Sequence, residues 1–125
     1  MKKSRVLIFH WLPLLFYCAL IFVLSSRPVP KNIPDIFFLD KILHFFGYGL
    51  LGILFFRAYR TLSLKNRPRL MMFLSMASAT LYGISDEIHQ HFVPTRTADM
   101  WDVLADMLGS IFSVFILHQV LSRRI

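Results

Sequence analysis

A single cysteine, Cys18, stands in 125 residues, so no internal disulfide can form, and it has none of the spacing of a thiolate zinc site. It sits inside an apolar run, where a small buried hydrophobe is the simplest reading. Acidic residues are scarce: 7 Asp plus Glu against 14 Lys plus Arg. Nucleic-acid binding needs a solvated basic face, and this chain has none. Its cations lie in short segments between apolar runs. Internal repeats and low-complexity stretches are lacking too. No small-residue cleavage site follows the first apolar run, which is longer than the core of a secretory signal, so an uncleaved first helix is expected.

What the chain has in abundance is apolar surface. Hydrophobic residues make up 56% of it, and its mean hydropathy is +0.58. The runs approach the roughly 20 residues that a bilayer span requires. Four spans are predicted, at Val6–Leu24, Lys41–Tyr59, Leu70–Phe92 and Met100–Leu121. The fold class is therefore an all-α membrane protein, a bundle of four transmembrane helices in one domain over residues 1–125. Pro28, Pro30 and Pro34 keep the first connection from being one helix. Within it, residues 33–39 read as a segment lying at the membrane surface. Pro94 closes the third helix. Trp11 and Trp101, near helix ends, read as interfacial anchors.

Ten of the 14 cations fall on one side of this layout: Lys2, Lys3 and Arg5, then Arg57, Arg60, Lys65, Arg67 and Arg69, then Arg123 and Arg124. The positive-inside rule puts that side, with both termini, in the cytoplasm. All seven acids fall at or near the other side.

Helical spacing then gathers the polar residues into stripes. Asp40, His44, Gly47 and Tyr48 share a face of the second helix. Ser75, Ser78, Tyr82, Ser85, Asp86 and His89 form a stripe on the third, with Gln90 a turn beyond Asp86. Asp102, Asp106, Gly109 and Ser113 line the fourth. Small and polar residues are what helix interfaces in lipid select. Charge within a span costs on the order of 2.5–3.5 kcal/mol, so such groups must face protein, water or a partner. The expectation is a polar pocket at the outer mouth, built from Asp40, Lys41, His44, Tyr48, Asp86, Glu87, His89, Gln90, Asp102 and Asp106, with Arg96 covering it. Structural readings stand beside this one. Asp40 and Asp99 suit helix N-caps, Asp102 suits the positive end of a helix dipole, and Glu87 suits a headgroup-facing position. Asp86, His44 and Asp106 also suit a buried hydrogen-bond network.

Two stretches resemble signatures of the VanZ-like family. Asp40-Lys41-Ile42-Leu43-His44-Phe45-Phe46-Gly47-Tyr48 is similar to its D-K-x-x-H-F-x-x-Y run, and Ser85 to Arg96 is similar to its S-D-E-x-x-Q-x-F-x-P-x-R run. Asp102, Asp106 and Gly109 resemble D-x-x-x-N-x-x-G, with Asp106 where Asn is usual. Thr95 and Ser113 also depart from the pattern, standing where Gly is common. The resemblance implies a small multi-pass protein of the bacterial inner membrane, with a cell-envelope role; the family's namesake is linked to teicoplanin resistance. Three functions stay open. The first is binding of a lipid headgroup or lipid-linked cell-wall precursor, with Lys41 and Arg96 meeting phosphate. The second is a membrane-embedded enzyme, in which Asp86, Glu87, His89 and His44 serve as acid, base or metal ligands. The third is an ion or proton transport subunit. The spacing matches no specific metal motif, and no metal, cofactor or nucleic-acid partner is expected. Whether the chain is an enzyme, and its oligomeric state, are left open by the sequence.

Overall fold

The computed structural model describes residues 2–27, 37–64, 66–94 and 98–123, the side chains of Phe37 and Phe38 excepted. Among these residues there are four long helices and no strand. We label them α1 (Lys3–Ser26), α2 (Phe37–Tyr59), α3 (Pro68–His91) and α4 (Met100–Ser122). The expected prolines Pro28, Pro30 and Pro34, and the covering residue Arg96, lie outside the described residues. Phe37, Phe38 and Leu39, expected in a surface segment, are the first turn of α2.

Three helices, α1, α2 and α4, are long and apolar enough to cross a membrane. The third is not, although it has 24 residues and so measures about 36 Å. Its composition follows from its place. α3 buries Met71, Ser75, Ala79, Gly83, Asp86, Glu87 and Gln90 along one stripe, so its polar residues meet other helices. Ser85, expected on that stripe, is exposed and donates to the Tyr82 carbonyl instead (2.6 Å).

Large apolar side chains cover the outside: Phe16, Phe46, Phe73 and Leu81 are each more than 60% exposed. A monomer in water rarely carries so continuous an apolar exterior. The interior holds two apolar clusters. One joins Leu14, Tyr48, Leu51, Leu54, Ala58 and Ala79; the other joins Phe56, Met71 and Val114.

Small residues set the closest contact, between α2 and α4. A Cβ on Gly52 would stand 3.2 Å from Ser110, and one on Gly49 would stand 3.3 Å from the Gly109 carbonyl. A Cβ on Gly109 would run into the backbone of Phe45. Ser113 Oγ then donates to the Gly49 carbonyl (2.7 Å), a bond that such close backbones permit.

α1 packs more loosely. Its opening contains a π-helical turn at Leu7–Trp11, just ahead of Pro13. Proline has no N–H to give and crowds the turn before it, which is where such a widening is expected. Arg57 of α2 donates to the Phe9 carbonyl beside this break (3.0 Å). Trp11, expected as an anchor, is half-buried and donates to Thr61 (3.0 Å). Tyr17 donates to the Gly47 carbonyl (2.7 Å), and Tyr82 of α3 donates to the Cys18 carbonyl (2.5 Å).

The α2–α4 contact gives a direct expectation. Gly109→Ala should destabilise the protein by about 1–3 kcal/mol, the usual range for overpacking, because the obstacle is backbone. Thermal unfolding in detergent checks this, with Gly47→Ala, whose Cβ meets only Tyr17 Oη at 3.6 Å, as the mild control.

Candidate functional site

The first turns of α2 and α4 and the last turns of α3 and α1 meet at one end of the bundle. Helix spacing of three and four residues turns Asp40, Lys41 and His44 to one side of α2, Asp86, Glu87 and Gln90 to one side of α3, and Asp102 and Asp106 to one side of α4. Close backbone approach brings these sides into bonding range.

Lys41 lies at the centre of the outermost layer. Its Nζ contacts Asp102 Oδ1 at 2.5 Å, Asp99 Oδ2 at 2.8 Å and Asp40 Oδ2 at 3.1 Å. Asp102 is 4% exposed, so its charge needs this partner. Asp99 also caps α4, accepting from the Trp101 N–H (2.9 Å). Asp40 is not an N-cap: α2 begins at Phe37, which leaves Asp40 within its first turn.

His44 occupies the next layer inward. Its Nδ1 is 2.8 Å from Asp106 Oδ1, while its Nε2 faces Asp102 Oδ2 at 3.5 Å and Asp40 Oδ1 at 3.9 Å. Asp106 is wholly buried. Gly83 makes room for it, since a Cβ there would stand 2.6 Å from Asp106 Oδ2. That oxygen and Glu87 Oε1 have no hydrogen-bond partner among the described residues.

A third group runs from α2 across α3 to α1. Tyr48 Oη donates to Asp86 Oδ2 (3.3 Å). Gln90 Nε2 reaches the same oxygen (3.2 Å) and Ser25 Oγ (3.0 Å). His89 Nε2 meets Ser26 Oγ (2.8 Å), and its ring stacks on Phe22. That serine donates its proton to the Phe22 carbonyl (2.7 Å), so the hydroxyl accepts from the imidazole. A serine held this way is not an activated nucleophile.

The expected residues therefore divide into connected groups. Asp40, Lys41, His44, Asp102 and Asp106 form one network, and Tyr48, Asp86 and Gln90 a second. Glu87 is buried, with Oε2 accepting from the Asp99 N–H (2.9 Å); it does not face headgroups. His89 turns aside to α1. Ser25, Ser26 and Asp99 were missed as members. The two serines read as loop, but α1 continues through Ser26, and no sequence pattern marks them. Asp99 had a signal, its capping position.

Lys41 was expected to meet phosphate. Its ammonium is ringed by three carboxylates, so an approaching anion meets negative charge first. Among the described residues, Asp40, Asp86, Glu87, Asp99, Asp102 and Asp106 gather at this end, and Lys41 and His44 form ion pairs with four of them, Asp40, Asp99, Asp102 and Asp106. Within this set of described residues, carboxylates outnumber the cations paired with them.

Apolar helices turned outward around an ionisable cluster are the build of a membrane protein. The chain belongs to the VanZ/LLP1 family, whose profile matches residues 4–122; the resemblance read from the motifs is borne out. It is also similar to an uncharacterized protein of Schizosaccharomyces pombe, at 29% identity over 108 residues, which are 86% of this chain and 59% of that protein. The chain thus spans about three-fifths of that relative's length. No solved structure matches it.

Outside the apolar spans, the Asp99 carboxylate is held below the ordinary range, first by its bond from Lys41 and then by the Trp101 N–H. The ionised form is the bonded one. Its stabilising effect is therefore complete above the ordinary value of 3.8 and is lost as pH falls through the depressed value. Asp99→Asn should flatten this acid limb, with little change in the pH dependence near neutrality, in thermal unfolding followed across a pH series.

Proposed function

We propose that the chain is a four-span protein of the bacterial inner membrane, with both termini in the cytoplasm. Its outward-facing acidic cluster binds the polar head of a membrane lipid or lipid-linked cell-wall precursor. The observation that carries this reading is the set of buried carboxylates, Asp86, Glu87, Asp102 and Asp106, gathered at one end of an apolar bundle. Ionisable groups at such depth are expensive, and function is their default explanation. The bound head must then present positive charge, through an amine or through a cation that accompanies its phosphate.

Topology rests on the cation count. The connection between α2 and α3 is basic, and the opposite end is acidic; the positive-inside rule puts the basic end inside. α3 then spans as well, its polar stripe covered by α2 and α4. Binding is favoured over serine-based turnover because, among the described residues, the hydroxyl–imidazole contact of Ser26 with His89 runs the wrong way for nucleophilic attack.

Single-cysteine labelling tests the topology. In a Cys18→Ser background, Ser63→Cys should resist an impermeant maleimide added to intact cells, while Val93→Cys should react. The reverse pattern overturns the orientation.

Native mass spectrometry of the purified chain tests the head. Phosphatidylethanolamine or a lipid-linked precursor should be retained over phosphatidylglycerol, and Asp102→Asn should lose the preference. Equal retention by Asp102→Asn removes the site from binding. A cleaved head would replace binding with catalysis, and ion flux in reconstituted vesicles would replace it with transport.

A further inference from the structure

We propose that Asp40, His44 and Asp102 bind one divalent transition-metal ion, of the Zn²⁺ or Mn²⁺ class, at the mouth of the bundle. Lys41 takes one oxygen of each carboxylate, Asp40 Oδ2 and Asp102 Oδ1. The other two, Asp40 Oδ1 and Asp102 Oδ2, turn to His44 Nε2 at 3.9 and 3.5 Å. One donor atom from each residue lies within 4.8 Å of the others. Ligands held about 2.0–2.2 Å from a tetrahedral ion stand roughly 3.3–3.6 Å apart, so small side-chain movements close this triangle on a metal.

The rest of the imidazole is arranged accordingly. A metal-bound histidine almost always gives its second N–H to a carboxylate or carbonyl, which fixes the tautomer and the ring. His44 Nδ1 has Asp106 in that place, 2.8 Å away and fully buried. When a metal displaces the Nε2 proton, the Nδ1–H stays on Asp106 and the Nε2 lone pair faces Asp40 and Asp102.

An independent observation is a buried acid with an unpartnered oxygen, electrostatically close to this group. Glu87 is 5% exposed, and its Oε1 has no partner among the described residues. It lies within electrostatic reach of Asp102, His44 and Asp106. A buried carboxylate oxygen left unpaired among other carboxylates is costly, and a divalent ion bound by Asp102 and His44, which Glu87 interacts with electrostatically, offsets part of that cost. Entry is available because the Asp40 side chain remains 45% exposed.

The donor set narrows the choice of ion. Two carboxylate oxygens with one imidazole suit zinc or manganese better than copper(I), which seeks sulfur. Calcium asks for six to eight oxygens. Three protein ligands leave a position open, as catalytic and ligand-binding zinc sites do. The inference stands without the headgroup reading, because its test uses the metal alone.

Chelator-stripped protein in detergent is titrated calorimetrically with Zn²⁺ and, separately, with Mn²⁺. Saturation at one ion per chain is expected. Asp40→Asn and His44→Gln should each weaken binding by at least about tenfold; glutamine keeps an N–H for Asp106. Co²⁺ in place of Zn²⁺ should give a visible absorption band that His44→Gln changes. Absence of saturable uptake by the parent protein, or unchanged affinity in both variants, overturns the site. Circular dichroism reports whether each variant folds. If His44→Gln does not, the partly exposed Asp40→Asn decides alone.

Discussion

The structure depends on keeping charge away from acyl chains. Once Asp102 and Asp106 are written into an apolar helix, they need partners from other helices, because their own helix has none at hand. Lys41 and His44, three residues apart on α2, meet that need, one for each carboxylate. Much else follows from this pairing. α2 and α4 must lie close enough for short side chains to reach across, which is why glycine and serine line their contact. α3 must press in from the side, which is why Gly83 faces Asp106.

That arrangement accounts for the uneven character of the helices. α1 is the most apolar and the least buried, and it is tied on by hydrogen bonds from Tyr17 and Tyr82 to backbone carbonyls. α3 is the most polar of the four and is packed among the others, and it does not have the length and apolarity of a span by itself. Hydropathy measures what a helix would do alone in lipid. α3 is not alone, and its buried stripe is matched by its neighbours.

How far the molecule could be read in advance follows the same division. Local periodicity announced the helices and the inward faces of α2 and α4. Asp40, His44, Asp102 and Asp106 were legible because each helix carried its own polar row and the apolar surroundings made those rows costly. Contacts that depend on two distant segments meeting were not legible. Ser25 and Ser26 look like the start of a loop until α1 is seen to run beside α3. Glu87 shows no sign of burial until Asp99 is seen to give it a backbone N–H. The partners of Lys41 were hidden for a related reason: sequence shows a lone cation but not the three carboxylates that converge on it.

The bond from Arg57 to the Phe9 carbonyl has a bearing on biogenesis. The first helix leaves the ribosome carrying a proline break and a widened turn, and its main chain beside that break is completed by a side chain made almost fifty residues later. Until that side chain is made the Phe9 carbonyl lacks this donor, so the first helix completes its polar contacts only once α2 lies against it.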